Sequence, residues 1–297
     1  MSNVVIPPLL GLAQVDVETA LEELARARDR VYFAPEADAA AADEYYRGVP
    51  PEELGDLVRR THRRTPAYKP ARELYPWVDL QPDGTLCSLY SGHRWDPEEL
   101  IHADEAVARA RAHFSARLAV LGARDAAAVE EEMAAALPFN CEHVVPQSWF
   151  GKSEPMRGDL HHLFACESRC NSFRSNTPYA EFADFPVTQR AGGIAAVIRS
   201  ECGKSEGNGF EPVHGKGAAA RAVFYFLLRY PGLVEAGEMP PERTEMLVAW
   251  HEADPVTDWE RHRNAAIFER QGNRNPFIDD PALAAAPRPA AAAGRRH

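Results

Sequence analysis

Between residues 140 and 182 the chain reads NCEHVVPQSWFGKSEPMRGDLHHLFACESRCNSFRSNTPYAEF, and seven of its side chains could do chemistry. They are Glu142, His143, Asp159, His161, His162, Asn171 and Arg174. An imidazole, with an ordinary pKa of about 6.5, can take a proton from water at neutral pH. A carboxylate and a carboxamide oxygen are hard donors, suited to Mg²⁺ or Ca²⁺ with some waters retained and not to a closed soft site. The block therefore holds proton-handling and metal-handling groups side by side. Arg174, three residues after Asn171 and on nearly the same helical face, is a candidate either for phosphate contact or for a salt bridge on a solvated face.

These groups must be carried by elements that aim them together. CEHVV reads as a short strand stopped by Pro146. Neighbours in a regular strand point to opposite faces, so Glu142 and His143 share one site only at a bulge or strand end near Cys141 to Val144. The same alternation in DLHHL sends His161 toward the site and leaves His162 as packing or a surface group, with Asp159 orienting a neighbour. Cys166 to Asn176 reads as a helix, and Lys152 and Arg157 lie in the loop between the two motif strands as candidate phosphate contacts. Elsewhere, residues 15–60 read as Ala- and Glu-rich helices, Leu80 to Tyr90 as a hairpin about Pro-Asp-Gly, and 103–136 as helix broken at Gly122. Residues 216–231 read as a buried helix and 240–254 as another that starts on proline. ERHRN and QGNRNPF look like locks for a last helix against the core.

The chain of 297 residues is long enough for a substantial core, and no apolar run approaches a membrane span. Its net charge of −11 is concentrated early: residues 1–60 carry 12 acidic and 6 basic groups, residues 141–297 carry 20 and 18. The acidic front either packs as an accessory helical layer or covers a cleft as a polyanion mimic. The N-terminus lacks the basic start of a secretory signal, which points to the cytoplasm. Five cysteines leave at least one unpaired. Cys166 and Cys170, four apart on the expected helix, are too far apart to bond to each other. With Cys141 and Cys202 they could ligate a structural Zn²⁺; buried free thiols are the plainer expectation.

EHVVPQS, DLHHL and NSFRSNTP together resemble the signature of the bacterial endonuclease I family, secreted and periplasmic nucleases of the ββα-metal (His-Me finger) superfamily. KGAAARAVFYFLLRYPG and DPVTDWERHRNAAIFERQGNRNPFID extend the likeness over about residues 65–281. The resemblance implies an α+β fold, mainly helical around a ββα-metal finger with short antiparallel strands. Residues 1–64 would then be a helical extension and 282–297 a disordered Ala/Pro-rich tail. It implies His143 as general base, Glu142 and Asn171 as holders of Mg²⁺ (or Ca²⁺ or Mn²⁺), and an arginine steadying phosphate, with Arg174 and His161 filling out the site. The implied activity is sequence-nonspecific hydrolysis of DNA, and of RNA since nothing requires the 2′-hydroxyl, leaving 5′ phosphates. A catalytically idle nucleic-acid-binding or inhibitory scaffold, and a phosphodiesterase for another substrate, are the alternatives.

Overall fold

The computed structural model of the chain describes residues 9–106, 139–185, 196–199 and 201–284. At its centre two antiparallel strands, β3 (Phe139–His143) and β4 (Leu163–Glu167), are followed directly by helix α4 (Ser168–Arg174). In front of them stand helices α1 (Leu9–Arg28), α2 (Pro35–Tyr46) and α3 (Leu54–Thr61), then a two-stranded pair, β1 (Leu86–Cys87) and β2 (Arg94–Trp95). Behind come a three-stranded meander, β5 (Ala196–Arg199), β6 (Gly203–Glu206) and β7 (Gly209–Pro212), and helices α5 (Lys216–Arg229), α6 (Pro241–Ala253) and α7 (Asp258–Gln271). The fold is α+β and mainly helical.

Local chemistry sets these boundaries. Prolines open α2 and α6 at positions whose N–H would be unpaired anyway. Thr257 and Glu260 form a reciprocal capping box at the start of α7. That helix ends at Gly272, whose φ of 89° is a left-handed conformation that a side chain would strain. Pro-Asp-Gly makes the expected tight turn, with the Gln81 N–H donating to Thr85 O at 2.8 Å and Leu80 bridging Leu86. The main partner of β1, however, is β2 across the next turn.

The β3–β4 pair separates two apolar clusters, and the strand period decides which residue joins which. Leu163 and Ala165 pack with Cys141 and with α1, Leu74, Trp77 and Ile101. Phe164 and Cys166 pack with Val144, Phe150 and the apolar face of α5. Helix α5 is buried at every position from Gly217 to Phe226; its run is apolar but for Arg221, which pairs with Glu260 at 2.7 Å. Two polar ties fix β4 and the turn before it. Arg263 of α7 donates to Asp79 at 2.6 Å, and the other oxygen of Asp79 accepts the Ala165 N–H at 2.7 Å. Asp159 accepts from Tyr225 at 2.8 Å, Tyr230 at 2.9 Å, Gln271 at 3.0 Å and the His161 N–H at 3.1 Å. ERHRN and QGNRNPF thus act as locks between the last helix and the core.

The acidic front is an accessory layer against α7. Tyr32 stacks on His262 with ring centroids 4.1 Å apart, and Arg30 pairs with Glu269 at 3.0 Å. Arg274, just past α7, pairs with Asp38 at 2.8 Å. At the other end, residues 281–284 form a helical turn with Ala284 buried, so the expected tail does not begin at 282; residues 285–297 lie outside the described residues. The helix expected over 103–136 is described only to residue 106, and Gly122 lies outside.

Burial around the Asp159 hub makes the fold acid-sensitive. Desolvation outweighs the pull of Asp159 and lowers the His161 imidazole from 6.5 to about 3. The unfolded chain therefore takes up a proton first, and this contribution, full above pH 6.5, is lost as pH falls toward 3. Urea midpoints read by circular dichroism are expected to drop between pH 7 and pH 5, and His161→Gln to flatten that dependence.

Candidate active site

His143 closes β3. The register continues without a bulge, Glu142 opposite Phe164 and His143 opposite Leu163, and the strand stops there. The expected bulge is therefore absent and the strand end is present. Glu142 and His143 keep separate side-chain surroundings, as the strand period demands.

On one face, Glu142 is 1 % exposed and accepts from Tyr90 at 2.7 Å and Arg174 at 2.8 Å, both through Oε1. Burial pushes its carboxyl above the usual range, and the Arg174 guanidinium opposes that shift. Oε2 has no hydrogen bond among the described residues. Asn171, on α4, donates its amide Nδ2 to Cys141 O at 3.2 Å, which leaves its Oδ1 as the open acceptor. A carboxylate oxygen and an amide oxygen, both open and hard, fit a divalent cation that keeps water in its other positions. Among the described residues no three His, Cys, Asp or Glu side chains gather as a fuller metal cage.

On the other face, His143 Nε2 lies 3.0 Å from Arg157 O. A carbonyl only accepts, so Nε2 carries the proton and Nδ1 the lone pair. Burial first, then His162 and the Arg157 and Arg174 cations, lower this imidazole to about 3, which keeps it neutral at pH 7. Tyr68 lies against its ring, centroids 4.9 Å apart, and reaches Cys141 O at 3.5 Å. The carbonyl of Cys141 is thus shared by Asn171 and Tyr68, and through it the two faces meet. Beside them, Arg157 lies over the Tyr68 ring at 5.0 Å, its buried Nε without a hydrogen-bond partner. Gly158 is pressed against the chain before Tyr68: a Cβ there would stand 1.9 Å from Pro66 O.

Three expectations are corrected. Arg174 is 1 % exposed and serves neither a phosphate nor a solvated face. It donates to Glu142, to His143 O at 3.1 Å, to Val144 O at 2.9 Å and to Thr177 O at 3.1 Å, which places it as a positioning residue. His161 is not the histidine beside the site. It packs on Tyr225 at 4.2 Å and contacts Asn273 O, because DLHH is a 3-10 turn before β4, where strand alternation does not apply. His162 takes that place, its ring 5.5 Å from His143 and its Nε2 2.6 Å from Met156 O. Finally, Cys170 and Cys202 form a disulfide. Neither is then a thiolate, so the four-cysteine Zn²⁺ site is ruled out, and Cys87, Cys141 and Cys166 are outside the disulfide. Lys152 is exposed on its loop.

Sequence reasoning overlooked Tyr68, Tyr90 and the Arg157 carbonyl. Tyr68 and Tyr90 lie far upstream of the motif block, and a backbone carbonyl leaves no mark in residue type.

The family model for endonuclease I matches residues 60–282. The chain belongs to the endonuclease I family. It is 33% identical over 159 residues to an extracellular ribonuclease of Bacillus subtilis, covering 48% of this chain and 51% of that protein. It is 30% identical over 159 residues to an extracellular deoxyribonuclease of Aeromonas hydrophila, covering 46% and 64%. It is 26% identical over 155 residues to an Endonuclease-1 of Buchnera aphidicola, covering 46% and 58%. The chain thus spans only about half the length of the Bacillus relative. The expectation of a cytoplasmic protein is overturned here: the relatives named by compartment are extracellular or periplasmic. The Cys170–Cys202 bond agrees, since such bonds persist in oxidising compartments. Among the described residues no helix is long and apolar enough to cross a membrane.

Removing Arg174 strands the Glu142 carboxylate in the interior. Arg174→Ala is expected to cost about 3–5 kcal/mol in urea unfolding. Arg174→Lys, which keeps the charge but not the planar fork, should fall between it and the parent.

Proposed function

We propose that the chain is a divalent-metal-dependent, sequence-nonspecific endonuclease that hydrolyses phosphodiester bonds of DNA and RNA. The observation that carries this reading is the His143 imidazole, kept neutral by burial and oriented at a strand end by Arg157 O, with Asn171 and Glu142 presenting open oxygens across the Cys141 carbonyl. Membership of the family supports it, as do relatives whose names include both a ribonuclease and a deoxyribonuclease.

A phosphodiester resists attack because its oxygens repel the nucleophile and its alkoxide leaving group is poor. His143 Nδ1, with its lone pair fixed by the bond at Nε2, takes a proton from the attacking water. Burial alone makes this a weak base. The anionic phosphate, once seated beside the ring, favours the imidazolium and raises its basicity where the proton must move. Glu142 Oε2 and Asn171 Oδ1 would hold the cation, which when bound stabilises charge on the phosphate and leaving oxygens. Arg174 and Tyr90 fix the Glu142 carboxylate, and Tyr68 covers the His143 ring. The products are 5′ phosphates and 3′ hydroxyls.

The test is nicking of supercoiled plasmid and degradation of an RNA transcript, with Mg²⁺ and with chelator. Cleavage is expected to vanish with chelator and to fall at least about 100-fold in His143→Ala. Binding without cleavage by the parent protein would instead favour an idle scaffold.

A further inference from the structure

In a chain of net charge −11, residues 59–72 hold six cations and no acid: Arg59, Arg60, Arg63, Arg64, Lys69 and Arg72. All six are exposed. Arg59 is matched by Asp56 and Arg72 by Glu73 at 3.2 Å, carboxylates just outside the segment, and Arg64 donates to the Glu269 carbonyl at 2.7 Å. Between α3, which ends at Thr61, and the short helical turn that starts at Pro70, the segment has no regular structure. It is nevertheless fixed. The N–H groups of Arg63 and Arg64 both donate to Gln271 O, at 3.0 and 3.2 Å. Pro66 sits on Gly158 at a separation that admits no side chain, and Tyr68 lies on the His143 ring. The strap thus enters the candidate site at a set place, where the Arg157 guanidinium, its Nε unpartnered, lies over the Tyr68 ring and adds a further cation.

We propose that this strap is a phosphate track: Arg60 and Arg63 contact backbone phosphates of the nucleic acid on one side of the bond held at His143. The inference rests on the nuclease reading and adds to it where the polyanion lies. It also accounts for how an acidic protein takes an acidic substrate, since a local row of cations, and not the net charge, sets the field at the site. Phosphate contacts of this kind position the strand without reading its sequence.

The test uses the full chain carrying His143→Ala, so that substrate survives, and measures affinity for a labelled 30-mer, single- and double-stranded, across a range of salt. Each phosphate contact contributes about 0.7–0.9 to the slope of log K against log salt. Adding Arg60→Ala and Arg63→Ala is expected to make the slope shallower by about 1.4–1.8 and to weaken binding roughly 30-fold at 0.1 M salt. Arg28→Ala with Arg47→Ala, exposed cations of the front helices, is the control and should leave the slope in place. Circular dichroism establishes that each variant is folded. An unchanged slope in the strap variant, with the parent still binding, overturns the track and leaves the nuclease reading standing. An equal loss in the control also overturns it, because a diffuse field and not contact would then be at work. No binding by the parent overturns both.

Discussion

The site depends on one buried guanidinium. Arg174 reaches from α4 into the end of β3 and holds three parts of it at once: the Glu142 carboxylate and the carbonyls of His143 and Val144. A fourth bond, to Thr177 O, ties its own helix to the segment that leaves it. Those carbonyls lie where the strand stops and its ladder runs out of partners, and buried carbonyls without donors are costly. A planar fork with five N–H groups can serve such a corner, whereas a point charge cannot. The strand end is thereby made rigid at the residue that carries the imidazole.

That rigidity is bought with burial, and burial shapes the electrostatics. Burial pushes the Glu142 carboxyl up and Arg174 pulls it back, so the acid available for a cation and the cation that holds it in place are coupled. His143 is kept neutral by the same dry surroundings, with His162, Tyr68 and Phe150 around its ring. The disulfide from Cys170, the residue before Asn171, to Cys202 at the edge of the meander fastens the helix that supplies the carboxamide. Neither bonding group of the site is left on a mobile loop.

Much of this was legible in the chain. The strand at EHVV and the helix at NSFRSNTP followed from a period combined with a stop signal, whereas the second strand runs Leu163–Glu167, after the DLHH turn and into the stretch expected as helix. The role of Asp159 as an orienting acid followed from its residue type, while Asn171 was singled out only through the family resemblance. What failed has common physical reasons. Whether Arg174 faces water or core depends on what packs over α4, which spacing within the helix does not encode. The choice between His161 and His162 turned on treating a 3-10 turn as strand. Cys202 finds Cys170 because the meander folds back onto α4, a long-range event without local trace. Tyr68 meets His143 across more than seventy residues, and only the tertiary fold brings them together.

The shared apolar cluster between α1 and the core has a consequence for where the molecule can be cut. Similarity to the family begins at residue 60, yet Val17, Ala20, Leu24 and Ala27 of α1 pack with Leu74, Trp77 and Leu163, and Arg270 of α7 pairs with both Glu23 and Glu73. An evolutionary boundary here is not a mechanical one. Severing the front helices would open a greasy face beneath β4 and leave α7 without its outer support, so the family-matched portion and the helices before it share one core.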